Sequence, residues 1–429
     1  MAKYMRILAL LCVLGLIVVG CMYWIGSGSS PIPPATVDFS RLSDEERAVL
    51  VAQGQNVARA ADCSACHSDP AGGSELAGGM PIVTPMGTIY GTNISASVEY
   101  GIGTWTSDDL YRALAYGMAP GRRNLYPAMP YTSYHRITRA DSDALFAWLM
   151  AQPAVEKPNQ ANSMMFPFNI RPAIALWNAL ERPAVEPFDK SEAANAPFAR
   201  GKYLVDVLGH CGECHTPRSL TFALRADGYL KGNVIEGAYA PDLTAAALTD
   251  RGWTKNDLLR FFSHGLSPQG VMTFRMFPVL KHSTAHLDDA DLQAISAYLT
   301  QDRPMPGPRI KEPVGVPNRA GEQLYVGLCA GCHGIAGEGQ PHSSVPLNIN
   351  TTAMFDDPIT LVRVINEGVQ ERNLARGERM QTMPGFADRL DNRQMADLVN
   401  YLRQRWGGRA GDVTPSDIED DLKLIQHGG

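Results

Sequence analysis

The pattern Cys-x-x-Cys-His occurs three times, in "ADCSACHSD", "LGHCGECHTPR" and "GLCAGCHGI", and takes up six of the 8 cysteines. On one helical turn the two sulfurs stand at i and i+3 and the histidine at i+4, so all three side chains leave from one side. The motifs open at Cys63, Cys211 and Cys329, 148 and 118 residues apart, which is too irregular for a solenoid and suits tandem domains.

The surroundings repeat as well. A helical stretch led by glycine precedes each motif: "GQNVARAAD" from Gly54, "GKYLVDVLGH" from Gly201 and "GEQLYVGL" from Gly321. Farther on, "DLYRALAYGM", "DLLRFFSHGL" and "TLVRVINEGV" share Leu110/Arg112/Gly117, Leu258/Arg260/Gly265 and Leu361/Arg363/Gly368. Each copy closes on an amphipathic helix in which Trp148, Tyr298 or Tyr401 precedes a leucine. Apolar residues three and four apart predict helices with one buried face, and no segment alternates well enough to predict a strand of any length. The expected fold class is all-α.

A Cys pair with an adjoining histidine fits c-type haem attachment: two thioether bonds hold the porphyrin and the histidine reaches the iron. A zinc site needs four ligands, and each copy offers one cysteine pair and one histidine. A redox disulfide has no need of histidine beside it in every copy. The reading is three covalently bound haem c groups, on Cys63 and Cys66, Cys211 and Cys214, and Cys329 and Cys332, with His67, His215 and His333 as axial ligands.

A methionine in the sixth position raises a haem's potential and makes it a relay. Met129 ("LYPAMPY") and Met383 ("QTMPGF") each precede a proline, which holds the residue before it extended. They lie 62 and 50 residues after their histidines; Met276 ("TFRMFPV") lies 61 after His215, nearly the first copy's interval. Met380, Met272 and His282 are the rivals, and His135 and His264 are further candidates. Arg112, Arg260 and Arg363 suit haem propionates and helix-surface ion pairs equally well. Trp105 and Trp253 are read as core.

The first residues carry Lys3 and Arg6, then 19 without a charge from Ile7 to Ile25. At ~1.5 Å per residue the run nearly matches a hydrocarbon core of ~30 Å. The basic flank stays inside, which exports the rest of the chain. A retained anchor helix is the preferred reading; a cleaved signal, or a lipoprotein signal on Cys21, exports the chain too. The net charge of -6 gives no footprint for nucleic acid.

With these residues in view, the chain resembles the triple-haem cytochrome c subunits of membrane-bound periplasmic dehydrogenases of acetic acid bacteria and their relatives. The stretches that carry the resemblance include "AGGMPIVTPMGTIYGTNIS", "LYPAMPYTSYHRIT", "FPFNIRPAIALWN" and "MPGFADRLDNRQMADLVNYLR". It implies three tandem class I cytochrome c domains behind an N-terminal transmembrane helix, with Met129, Met276 and Met383 as sixth ligands. The expected boundaries are anchor 1–25, tether 26–44, domains 45–152, 197–301 and 319–406, linkers 153–196 and 302–318, and a tail 407–429. The implied function is electron transfer from a catalytic subunit (molybdopterin, PQQ or flavin type, with aldehyde or alcohol oxidation favoured) to ubiquinone or the respiratory chain. A small third subunit is a further implied partner, and the place is the periplasmic side of the inner membrane. No catalytic site of its own is expected. A free-standing tethered carrier and a haem peroxidase are the alternatives. The apolar stretch "MMFPFNIRPAIALWNAL" reads as a packed strap or an interaction surface rather than a free linker; contact with the membrane is the other alternative, since it is too short to span one.

Overall fold

The uncharged N-terminal run folds as one helix, Ala2–Gly26, long and apolar enough to cross a membrane, with that apolar length exposed. Its last turn carries no basic residue to meet its free carbonyls. Arg182 serves instead: its guanidinium donates to the carbonyls of Gly26 (3.3 Å) and Gly28 (2.8 Å), and Arg122 donates to that of Ser27 (3.1 Å). Such contacts satisfy orphan groups at a helix end and complement its dipole.

This computed structural model describes residues 2–28, 31–70, 72–189, 191 and 195–428. The chain divides into two compact bodies. One comprises Met1–Asp189, Asp206–His210 and Leu220–Ala223; the other comprises Lys190–Val205, Cys211–Ser219 and Leu224–Gly429.

In the first body, helix Asp44–Ala60 starts at a capping box of Ser43 and Glu46 and packs on helix Arg139–Ala151. Gly54 sets the crossing: a Cβ there would overlap the Ala144 carbonyl oxygen and press on the Trp148 side chain. Strands Pro81–Thr84 and Gly87–Tyr90 form a hairpin, and Ser163–Met164 adds a third strand. The segment expected as a linker therefore contributes to the sheet, then continues into helix Ile174–Glu181, which packs on the N-terminal helix.

The second body holds the other two motifs. Helix Ala196–Tyr203 packs on Asp289–Leu299, and Arg319–Leu328 packs on Asn392–Leu402. Both crossings repeat the first: Gly201 faces the Ala294 carbonyl and Tyr298, and Gly321 faces the Asp397 carbonyl and Tyr401. Leu374, beyond the third motif, is buried with Met272 and Leu280 of the second. The Tyr239 amide donates to Thr360 Oγ1 at 2.7 Å. Residues 407–429, expected as a tail, include helix Pro415–Gly428, whose Ile418 and Ile425 are buried among the third motif's helices.

The all-α expectation needs correcting in one respect. Helices dominate, but short antiparallel hairpins follow the motifs: 81–90, 233–240, and smaller pairs at 118–124, 266–271 and 372–380. Strands of two to four residues are too short to leave a readable alternation.

Candidate functional site: three histidine turns

Each motif folds as the single helical turn its spacing implies. Cys63–His67 is helical, and the His215 and His333 amides donate to the carbonyls of Cys211 (3.0 Å) and Cys329 (2.9 Å). Cysteine pair and histidine therefore leave from one side in all three copies.

The histidines are then fixed twice over. Nδ1 of His67 lies 2.7 Å from the Thr92 carbonyl oxygen, that of His215 2.7 Å from Pro241 O, and that of His333 2.9 Å from Val345 O. A carbonyl only accepts, so Nδ1 carries the hydrogen and donates, and Nε2 keeps its lone pair for a metal. The carbonyl of each histidine accepts in turn from a glycine amide: Gly78 (2.7 Å), Gly232 (2.9 Å) and Gly339 (2.8 Å). These glycines have φ of 72°, 87° and 69°, conformations that carry little penalty only without a side chain. Burial lowers the pKa of all three imidazoles, that of His215 to about 4, which favours the neutral, ligating form. Burial also pushes the thiols of Cys63 and Cys214 up to about 12 and that of Cys329 to about 11. These are not the depressed values of a reactive thiolate.

The first two copies match in finer detail. Leu76 and Leu230, at φ of 63° and 58°, accept from the amides of Ile94 (2.9 Å) and Leu243 (2.8 Å). The Leu125 amide donates to the Gly117 carbonyl (2.7 Å), and the Met272 amide to the Gly265 carbonyl (2.8 Å). Four residues beyond each stands Met129 or Met276, whose own amide closes a turn onto Tyr126 O (3.0 Å) or Thr273 O (3.1 Å). In this register Met276 occupies the place of Met129, and Met272 occupies that of Leu125. Met272 is only 1% exposed, packed against Leu280 and Leu374, whereas Met129 and Met276 are half-buried. The third copy is more compact. Met383 pairs with Val369 through both backbone bonds (2.8 and 2.9 Å) and is half-buried, while its rival Met380 is buried.

Other candidates have protein partners. His135 Nδ1 lies 2.7 Å from the Thr132 carbonyl and His264 Nδ1 lies 2.6 Å from Ser263 Oγ. Arg260 pairs with Glu378 at 2.7 Å and Arg363 with Glu367 at 2.9 Å. Trp253 is buried against Phe261, as expected of core. Sequence reasoning missed the carbonyls of Thr92, Pro241 and Val345. They lie 25, 26 and 12 residues past their histidines and act through backbone, so no side-chain signal marks them.

The arrangement fits covalent haem c. A paired thiol and an imidazole with a directed Nε2 share one turn. Among the described residues, no three His, Cys, Asp or Glu side chains are placed to hold a metal ion by themselves.

Comparison with known proteins agrees. The cytochrome c family model matches residues 319–406, a domain that carries covalently bound haem c. The chain is 36% identical over 414 residues to the gluconate 2-dehydrogenase cytochrome c subunit of Pantoea cypripedii, covering 89% of this chain and 92% of that one. It is 34% identical over 390 residues to the cytochrome c subunit of the quinone alcohol dehydrogenase of Gluconobacter oxydans, covering 86% and 81%. It is 38% identical over 374 residues to a nicotinate dehydrogenase subunit of Pseudomonas putida. That match takes in 84% of this chain but spans only 30% of the relative's length.

Proposed function

We propose, from the premise that the chain belongs to the family of cytochrome c subunits of alcohol and gluconate dehydrogenases, that it is a triple-haem electron-transfer subunit. It takes electrons from a partner catalytic subunit and passes them towards membrane ubiquinone. Aldehyde or alcohol oxidation is the favoured chemistry of the partner. The chain comprises three tandem class I cytochrome c domains, at 45–152, 197–301 and 319–406. It is held at the periplasmic side of the inner membrane by helix Ala2–Gly26.

The observation that carries this reading is the threefold repeat of one histidine geometry, with Nδ1 donating to a backbone carbonyl at 2.7–2.9 Å, on one helix crossing set by Gly54, Gly201 or Gly321. Haem c, when bound, supplies a one-electron iron couple. Cys63, Cys66, Cys211, Cys214, Cys329 and Cys332 would hold it covalently, and His67, His215, His333, Met129, Met276 and Met383 would supply the ligands to the irons. The carbonyls orient the imidazoles and make them better donors. A thioether sixth ligand raises the potential.

The test is purification from native membranes in mild detergent. Expected are three haems per chain and a co-purifying large subunit. One of ethanol, acetaldehyde, gluconate or nicotinate should reduce the haems. A lone haem protein that none of these substrates reduces would sink the dedicated-subunit reading and leave a tethered carrier.

A further inference from the structure

The segment Met165-Phe166-Pro167-Phe168-Asn169-Ile170 holds six successive exposed residues without a charge, with Phe166 79% and Met165 56% exposed. It is not loose. The Asn169 amide donates to the Met165 carbonyl (3.1 Å) and the Ile170 amide to the Pro167 carbonyl (3.0 Å), and the Tyr126 hydroxyl donates to the Phe168 carbonyl (3.0 Å). Ordered, outward-facing aromatic residues on a hydrogen-bonded turn are built to be covered.

Their position in the first body says by what. The turn leads into helix Ile174–Glu181, and that helix meets the end of the N-terminal helix so closely that a Cβ on Gly26 would overlap the Ala175 carbonyl. A second tie runs through Asn124, whose backbone carbonyl accepts from Arg171 (3.0 Å) and whose side-chain amide donates to Ser27 Oγ (3.4 Å). Ile170 is thus five residues from the contact with Gly26, a reach of at most ~18 Å. A helix crossing a bilayer has its Tyr and Trp at the lipid–water interface, and here Tyr23 and Trp24 are exposed just before Gly26. The headgroup plane therefore falls at the helix junction. Arg122, on the Ser27 carbonyl, and its neighbour Arg123 are exposed there, cations suited to lipid phosphates.

We propose that residues 165–170 are a second, monotopic membrane contact: Met165, Phe166, Phe168 and Ile170 enter the outer headgroup–acyl boundary beside the anchor helix. With Leu180, exposed on the strap helix, they give the first body a fixed face against the lipid where a single helix alone would leave it free to swivel. The inference rests on the anchor reading of Ala2–Gly26 for its plane. Lipid is favoured over the catalytic subunit because the patch is continuous, through Gly26 and Ala175, with a helix of membrane length.

Spin labels decide it. The full holoprotein, in a Cys12→Ser, Cys21→Ser background, receives a label at Phe166→Cys, Phe168→Cys or Leu14→Cys and is reconstituted in phosphatidylethanolamine–phosphatidylglycerol liposomes. Collision with oxygen is compared with collision with a water-soluble nickel chelate. The expected result is an oxygen-to-nickel ratio at 166 and 168 several-fold higher than that of the same label on free cysteine in water, approaching that at Leu14. A lipid-like Leu14 with water-like 166 and 168 would overturn the proposal and leave the anchor standing. Labels that are water-like in liposomes yet immobilised in the complex would overturn it in favour of a catalytic-subunit face. A water-like Leu14 would remove the anchor instead, and lipid-like 166 and 168 would then still support the contact.

Discussion

The Arg363 guanidinium lies 4.2 Å from the centre of the Phe274 ring, joining the third copy's recurrent arginine to the loop of Met276. Its Nη1 also donates to the Glu236 carbonyl at 2.7 Å, and the Glu236 carboxylate pairs with Arg275, the residue before Met276. Phe274 is held at φ 47°, unusual for an aromatic residue. One arginine of the third copy thus grips the methionine loop of the second from two directions. Replacing it with glutamine removes the cation–π contact and weakens the bond to Glu236, a loss of about 1–2 kcal/mol. Arg363→Gln is expected to lower the thermal midpoint of the protein and to shift one haem potential in a spectroelectrochemical titration. If stability falls with every potential unchanged, Arg363 only joins the two copies and does not position the loop.

Met276 and Met272 separate in the same way. Met272→Leu is a swap of similar volume at a site only 1% exposed, so it should cost less than about 1.5 kcal/mol and leave the thioether–iron charge-transfer band intact. Met276→Leu should remove about a third of that band and lower one potential, since a thioether ligand raises it. The reverse pattern would make Met272 the ligand.

What can be read from the sequence, and what cannot, follows from the range of each signal. The Cys-x-x-Cys-His turns are legible because a single helical turn fixes all three side chains. Glycine and aromatic residue are each visible on their own helices. That Gly201 meets Tyr298 is a tertiary fact linking residues 97 apart, which no local period encodes. Met276 stays open in the sequence because the residues around it are bulky; the equivalent backbone bonds from Leu125 to Gly117 and from Met272 to Gly265 give it the same register in its own copy as Met129 has in the first. The strands are too short to alternate, and the helix Pro415–Gly428 is stabilised by burial of Ile418 and Ile425, which composition does not announce.

The glycine crossings give a common prediction. A Cβ at Gly54, Gly201 or Gly321 would overlap a backbone carbonyl that cannot move without its helix. Overpacking of this kind costs about 1–3 kcal/mol, occasionally more. Each Gly→Ala variant should lose stability and yield less haem per chain, with the deficit limited to the copy that carries the change. Unchanged thermal midpoints in all three variants would show that the helices part freely.

Asp421 gives the pH dependence. Its carboxyl is pushed up to about 7, first by burial and then by Asp357, Asp417 and Asp420, and Oδ2 is buried without a hydrogen-bond partner among the described residues. An unfolded aspartate titrates near pH ~4. Between there and about 7 the folded chain keeps a proton that the unfolded chain has released. This group's contribution to stability is therefore fully present below the unfolded value, falls as pH rises through the window, and is constant above it. Asp421→Asn keeps the shape and abolishes the titration. The variant should be more stable than the parent at pH 8, by less than about 1 kcal/mol because the carboxyl is half-exposed and screened. The two should converge as the pH is lowered towards 4. Thermal unfolding across pH 4–8 checks this, and an advantage for asparagine that grows towards acid would refute the assignment.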